Sequence, residues 1–276
     1  EVVASPPPDR RVLLPGGATE VRGAGSPGAG RVTVWSDQET VAATGATIRA
    51  RGGEQGGQGG FVEVSAGGGL SFDAAVDARA PAGAAGTLLL DPRNITVRTT
   101  GGVALNPGVN NLFGNNIGAT NIITPASING AAADVVLQAN SDITVTDPIA
   151  MTTSGIGLTM QAGRTINVNA NVGTNDGPIS LTANSPGATV TDRAAGAGGI
   201  TMAVGTTINA GNRPITLTVG GLVGGNPGSI AARDLTSSAG GITVTTPVAV
   251  TLNGVVDAGT GPVAIQTNTD GTGRDS

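Results

Sequence analysis

The residues of this chain that could carry out catalysis are a few scattered carboxylates. Glu63, Asp73, Asp77 and Asp91 lie in its first third, and two carboxyl groups at a set separation can hydrolyse a glycosidic bond. The sequence contains no His, Cys, Lys or Tyr to assist them, and Asp91 precedes a proline, which is typical of a turn. We therefore expect these carboxylates to be solvated or turn-forming, and we predict that the chain is not an enzyme.

The missing residue types exclude several other kinds of site. Without Cys and His the usual zinc, haem and iron–sulfur sites cannot form, and without Lys neither a Walker A loop nor a Schiff base can be made. The glycines at 23–28 match the spacing G-x-G-x-x-G, but a predicted strand follows them where a nucleotide site needs a helix. We predict a plain glycine turn there, and neither a metal ion nor a cofactor anywhere in the chain.

The most regular chemical feature is a series of hydroxyl side chains, each in the middle of a short apolar triplet. We expect these to stack as a first column on one exposed face, with a second column two positions later. The first column is predicted to contain Thr159, Ser180, Thr201, Thr216 and Thr243, and the second Thr182, Thr218 and Thr245, with interruptions at Gln161, Ala203 and Gln266. A flat threonine array can order water and bind ice, or it can contact a glycan. Threonine is also simply a good residue for a solvated strand.

The triplets that carry these hydroxyls recur along the chain. They begin at residues 158, 179, 200, 215, 242 and 263, in steps of 21, 21, 15, 27 and 21 residues. A fixed period of about 20 residues is typical of a solenoid in which each coil stacks on the next. Alternation buries the first and third residue of each triplet. The sequence predicts an all-β protein, a parallel right-handed β-helix with coils of about 21 residues; a β-sandwich would show closer strand spacing and more aromatic residues.

Composition limits the partners that the protein can have. The net charge is −5 and only 12% of residues are charged, and the arginines are scattered rather than gathered in a basic stripe, so nucleic-acid binding is not expected. No apolar run approaches the roughly 18 residues of a membrane span, so we predict no transmembrane segment.

The pattern of residue types also divides the chain. Four segments are predicted: a Pro/Gly-rich segment 1–30, a first β-helix segment 31–100, an irregular Asn-rich excursion 101–130 and a repetitive β-helix segment 131–276. The main shift falls near Asn94, which is the first asparagine, while every glutamate lies at or before Glu63.

Residues 31–97 contain a succession of short motifs that resembles a known family. The motifs read RVTVWSD (31–37), TIRARGG (47–53), GGFVEVS (59–65), LSF (70–72), VD (76–77), GTLLLDP (86–92) and ITV (95–97). Their order resembles that of the large exoproteins of the filamentous haemagglutinin type, which Gram-negative bacteria export by two-partner secretion. The resemblance implies a secreted right-handed β-helix that crosses the outer membrane through a dedicated β-barrel transporter, and many such proteins are adhesins.

We therefore expect a non-enzymatic stalk or adhesin segment of a longer exoprotein, outside the cell or on the outer cell surface of a Gram-negative bacterium. Its partners would be the transporter of the parent exoprotein, a host-cell or glycan surface, or other copies of itself. Residues 266–273 are polar and offer no apolar lid for the coil at 263–265, so we expect that coil to pair with a further one, which allows filaments. Two alternatives stay open: a binding module that uses the threonine face for ice or a glycan, and a polysaccharide-active β-helix enzyme.

Overall fold

The computed structural model describes residues 2–4, 12–14, 16–22, 30–53, 57–99 and 121–267. The chain divides into two compact units, Glu1–Val136 and Leu137–Ser276, which we call unit 1 and unit 2. Several features of the sequence lie outside the described residues: most of segment 1–30 with its glycines at 23–28, residues 101–120 of the Asn-rich segment, and the polar residues from 268 onward. The segment boundaries predicted from composition stay a prediction.

Unit 1 is built from short strands and one short helix. Its elements in chain order are β1 (Val2–Ala4), β2 (Val12–Leu14), β3 (Gly17–Arg22), β4 (Arg31–Ser36), β5 (Glu39–Ala42), β6 (Ala46–Arg51), β7 (Phe61–Ala66), β8 (Gly69–Phe72), β9 (Ala75–Asp77), β10 (Thr87–Asp91), β11 (Ile95–Val97), β12 (Ile122–Ile123) and α1 (Pro125–Asn129). The strands form three sheets in the orders β1-β4-β7-β10, β2-β5-β8-β12-β11 and β3-β6-β9. Strand β12 follows the Asn-rich segment and pairs in parallel with both β8 and β11.

Unit 2 repeats the same arrangement of three sheets. Strand β13 (Asp134–Ala139) contains the boundary between the units. The remaining strands are β14 (Ile143–Val145), β15 (Ile149–Ala150), β16 (Leu158–Ala162), β17 (Ile166–Val168), β18 (Val172–Gly173), β19 (Ile179–Ala183), β20 (Gly198–Met202), β21 (Thr207–Asn209), β22 (Ile215–Val219), β23 (Pro227–Ala232), β24 (Asp234–Thr236), β25 (Ile242–Thr246), β26 (Val250–Leu252), β27 (Val256–Asp257) and β28 (Val263–Thr267). The first sheet runs β16-β19-β22-β25-β28, the second β14-β17-β20-β23-β26 and the third β15-β18-β21-β24-β27.

Each coil of unit 2 contributes one strand to each of the three sheets before the chain moves on to the next coil. The strands pair in parallel, as β16 does with β19 and β19 with β22. Helix is confined, among the described residues, to α1 and a single 3-10 turn at Val190–Asp192. The predicted all-β fold, a parallel β-helix, is confirmed. Its right-handedness stays a prediction, in line with the general hand of parallel crossover connections.

The alternating pattern of the triplets places the core. In β19 and β22 the residues Ile179, Leu181, Ile215 and Leu217 are at most 1% exposed, while the residues between them are half-buried. Side chains from neighbouring coils meet in register, so each aliphatic residue packs on the equivalent residue of the next coil. The core of the β-helix is therefore a set of stacked aliphatic columns.

Glycine is needed where successive coils of unit 1 turn into the first sheet. A Cβ atom added to Gly60 would lie 1.9 Å from the carbonyl oxygen of Ala50 and 2.4 Å from that of Gly30. Gly86, one coil further on, is as tightly enclosed, because its Cβ would lie 1.9 Å from the carbonyl oxygen of Gly60. These contacts are with backbone atoms, which cannot move aside without breaking the stack, so the corner accepts only glycine.

Coil length in unit 2 is less uniform than the predicted 21 residues. The register partners in the first sheet are Leu158, Ile179, Ile215, Ile242 and Val263, which are 21, 36, 27 and 21 residues apart. The longer coils carry their main extra residues at one corner, between the first and second sheets. Residues 184–197 and 220–226 stand there in place of the short connection 163–165. The sequence steps of 15 and 27 are therefore not two irregular steps of one column.

Candidate binding face

The outward side of the first sheet in unit 2 carries two columns of polar, uncharged side chains. We call this surface the hydroxyl face. Its first column, in register across four coils, is Thr159, Ser180, Thr216 and Thr243, and its second column is Gln161, Thr182, Thr218 and Thr245. All of these residues are half-buried. The face exists because each five-residue strand has two outward positions between its three inward aliphatic ones.

Thr201 is not part of this face, which corrects the predicted column. It lies in β20 of the second sheet, where it pairs with Asn167 of β17 and Ala231 of β23. The triplet at 200 has the same apolar–polar–apolar pattern as the first-sheet triplets, because both sheets bury one face and expose the other. Ala203, predicted as an interruption of the second column, also lies outside the face, since it follows β20.

The remaining columns are more regular than the sequence suggested. Without Thr201 and Ala203, three successive coils present a hydroxyl at both outward positions: Ser180 with Thr182, Thr216 with Thr218, and Thr243 with Thr245. The array ends at β28, where Ala264 and Gln266 take the two positions. The structure therefore brings together seven of the eight predicted residues of the ladder.

The hydroxyls of this face are free of partners within the part of the chain that the structure describes. Other threonines of unit 2 behave differently. The hydroxyls of Thr174, Thr206 and Thr246 donate to backbone carbonyl oxygens at 2.5, 2.7 and 2.8 Å respectively. Those threonines satisfy turns and strand ends, whereas the face residues keep their hydrogen-bonding capacity for solvent or a ligand.

The electrostatics of the hydroxyl face are neutral. Neither column contains a charged or an aromatic side chain, including its last two residues Ala264 and Gln266. At the other end the Gln161 carboxamide accepts a hydrogen bond from Gln138 at 2.6 Å, so the glutamine that interrupts the second column is held by a second glutamine. The face can offer hydrogen bonds and methyl groups, but no charge to recognise an ionic ligand.

A second polar feature, which sequence reasoning missed, is the corner loop 184–197. Its anchor is Arg193, whose Nε donates to the carbonyl oxygen of Gly163 at 2.6 Å and whose Nη2 donates to that of Gly196 at 2.7 Å. The long step between the first-sheet triplets was the signal that could have revealed the loop. Because the guanidinium is engaged by backbone carbonyls, we assign Arg193 a structural role.

An ion pair fixes the same corner from the preceding coil. Arg164 donates from Nε to Asp142 at 2.8 Å and from Nη1 to the carbonyl oxygen of Ala195 at 2.8 Å, and the Thr165 hydroxyl donates to Asp142 at 2.7 Å. Burial raises the pKa of Asp142, but the hydrogen bonds from Arg164 and Thr165 outweigh burial and hold that pKa below its ordinary value. The charged carboxylate therefore tethers the loop to the coil beneath it.

The candidate acids of unit 1 lie in separate environments. Asp77 accepts hydrogen bonds from Arg79 Nε at 2.9 Å and from Arg51 Nε at 2.8 Å. The Arg79 hydrogen bond is the main cause that lowers the pKa of Asp77 far below its ordinary value, against the effect of burial and with help from Arg51. Asp73 accepts hydrogen bonds from the hydroxyls of Thr44 and Thr124. Both carboxylates are therefore held by structural partners.

Glu63 and Asp91 are the two acids that influence each other. They lie on the neighbouring strands β7 and β10, where Leu89 pairs with Glu63 and Asp91 pairs with Ser65. Burial raises the pKa of Asp91, and the negative charge of Glu63 raises it further. Glu63 itself lies 3.5 Å from Nη2 of Arg31.

Searches for other sites and for relatives gave no positive result. The described residues contain no group of three or more His, Cys, Asp or Glu side chains that could hold a metal ion. Over the same residues, we find no helix with the length and apolar character needed to cross a membrane. No family model, no curated protein and no solved structure matches the chain. The resemblance to filamentous haemagglutinin-type exoproteins stays a prediction from its motifs.

Proposed function

We propose that this chain is a non-enzymatic β-helix segment that serves as a stalk or adhesin part of an exported exoprotein. The observation that carries the proposal is the stack of parallel coils in each unit, built on aliphatic columns. A solenoid of this kind presents long, regular surfaces and adds length with each coil. The family-like motifs at 31–97 supply strands β4 to β11 of unit 1, which supports the assignment to the filamentous haemagglutinin type.

The direction of the backbone hydrogen bonds suits a load-bearing role. In unit 2 the amides of Ile179, Ile215 and Ile242 donate to carbonyl oxygens of the following coil at 3.0, 3.0 and 2.8 Å. Such bonds run along the stacking direction, and each coil is joined to the next by three sheets of them. A pulling force along the stack is therefore shared by many parallel hydrogen bonds.

The export part of the proposal can be tested directly. The chain would be fused behind the secretion domain of a two-partner system and produced in a Gram-negative host together with the matching transporter. We expect the fusion to reach the cell surface, where added protease cleaves it in intact cells. The control is the same fusion without the secretion domain. Retention of the complete fusion in the periplasm would overturn the export proposal.

The last described coil supports self-association. Val263 and Ile265 pair with Ile242 and Val244 and so take inward positions, yet they are 48% and 45% exposed, against 1% and 0% for their partners. The free edge of β28 can also pair with another strand. We propose that a second copy of the chain stacks there, head to tail, which gives open filaments.

Electron microscopy and light scattering of the purified chain test this association. Ile265→Lys should shorten or abolish the filaments, whereas Gln266→Lys, one residue further along the same strand and outward-facing, should leave them intact. A chain that stays monomeric at high concentration would refute end-to-end association and leave the stalk proposal standing.

Glu63 and Asp91 are the observation that favours a second candidate, a polysaccharide-active enzyme. Two carboxyl groups with separated pKa values are what acid–base hydrolysis of a glycoside requires. Their environment supplies no aromatic partner beyond Phe61, over which Arg31 lies at 4.4 Å. The test is release of reducing sugar from a panel of polysaccharides. Activity that disappears in both Glu63→Gln and Asp91→Asn would replace the non-enzymatic proposal.

A further inference from the structure

The hydroxyl face has properties that together narrow the kind of ligand it can take. Its strands are in register, so the surface is flat and has no pocket to enclose a small molecule. It has no charge to attract an ion or a nucleic acid, and no aromatic ring on which a sugar could stack. A matching ligand must itself be flat, uncharged and rich in hydrogen-bonding groups.

The ligand must also repeat in two dimensions. Adjacent strands place equivalent hydroxyls about 4.8 Å apart along each column, and outward residues two positions apart lie about 6.7 Å apart across the columns. Ser180, Thr216 and Thr243 extend the first repeat, and Thr182, Thr218 and Thr245 extend it in parallel. A crystalline lattice of small hydrogen-bonding molecules can match such an array at many points at once.

The face is prepared for that match before any ligand arrives. Threonine is β-branched, so its χ1 angle is restricted and little side-chain freedom is lost on binding. The hydroxyls have no protein partner that would have to be displaced, and each threonine sets a methyl group beside its hydroxyl. Alternating methyl and hydroxyl groups on a rigid surface hold adjacent water in fixed positions.

We propose that the hydroxyl face binds ice, by ordering a layer of water that joins the crystal lattice. This activity is additional to the stalk or adhesin role and does not depend on it. The array covers only four coils, a length of about 14 Å, so we expect modest thermal hysteresis and a clearer effect on ice recrystallisation.

The test is to measure thermal hysteresis and inhibition of ice recrystallisation with the full chain and two matched variants. Thr218→Lys places a long charged side chain in the middle of the second column, between Thr182 and Thr245. Thr236→Lys makes the same change at a half-buried threonine of β24 in the third sheet, which lies outside the face. Circular dichroism and melting temperature establish that all three proteins are folded.

We expect both activities in the parent chain, loss in Thr218→Lys and retention in Thr236→Lys. Thr182→Ala serves as a milder second variant if Thr218→Lys does not fold, and it should reduce both activities. Absence of both activities in the folded parent chain, or equal activity in Thr218→Lys, would overturn the proposal. Binding to insoluble cellulose or chitin that Thr218→Lys abolishes, without any effect on ice, would assign the face to a glycan instead. None of these outcomes decides the export experiment, so the two proposals can fail separately.

Discussion

Replacing Leu217 with alanine is expected to destabilise unit 2 by about 3–5 kcal/mol. Leu217 is fully buried in β22 and lies in register between Leu181 of the preceding coil and Val244 of the following one. It is thus the middle member of an aliphatic column, and its loss affects the packing of coils on both sides.

The magnitude follows from two contributions. Truncation to alanine removes three carbon atoms from the core, and at about 0.8 kcal/mol for each buried CH₂ group the transfer cost is about 2.4 kcal/mol. The rest is the cost of the cavity, because the two neighbouring coils cannot close on it. Their separation is fixed by the backbone hydrogen bonds of the parallel strands.

Amide hydrogen exchange is the assay of choice, because repeat proteins can unfold in parts and a single melting curve then has no simple meaning. Protection of the amides at Ile215–Val219 should fall sharply in Leu217→Ala. Thr216→Ala, at the adjacent outward position of the same strand, should change it by no more than about 0.5 kcal/mol. Equal losses in the two variants, or a larger loss in Thr216→Ala, would show that the column of inward residues does not hold the coils together.

Three further predictions concern single residues. Ile200→Asp should prevent stable folding of unit 2, since Ile200 is fully buried and the carboxylate would have no partner; a near-normal melting temperature would contradict this. The lowered pKa of Asp77 means that the folded state resists protonation, so stability should fall as the pH drops below about 4; a thermal melt series from pH 7 to 2 should show this fall, and Asp77→Asn should lose most of it. The raised pKa of Asp91 has the opposite sign, so its charge costs stability at neutral pH; Asp91→Asn should raise the melting temperature at pH 7 and not below pH 4, and a decrease at pH 7 would refute the reasoning.

Local pattern made the strands predictable. The triplets at Ile179, Ile215 and Ile242 alternate apolar and polar residues, and that alternation is the requirement for a strand with one buried face. The turn residues before them, such as Pro178 and Pro214, mark where each strand begins. These signals depend only on neighbours along the chain, so the all-β class and the inward positions could be deduced without coordinates.

The identity of the sheet that each strand joins could not be deduced in this way. The triplet around Thr201 has the same pattern as the triplet around Thr216, although they lie in different sheets. The sheet is decided by the length of the connection, and residues 184–197 delay the second-sheet strand without changing its own sequence. A period read from triplet positions therefore mixed two sheets.

The sequence by itself determined that the protein is a β-helix with aliphatic inward columns and without the residue types of common metal and nucleophile sites. Tertiary structure decided which hydroxyls share a face, that Asp77 is held by Arg51 and Arg79, and that Glu63 and Asp91 influence each other. The physical reason is that alternation along a strand is a local property, set by backbone geometry. Contacts between coils join residues 20 to 36 positions apart, and their register depends on every connection between them.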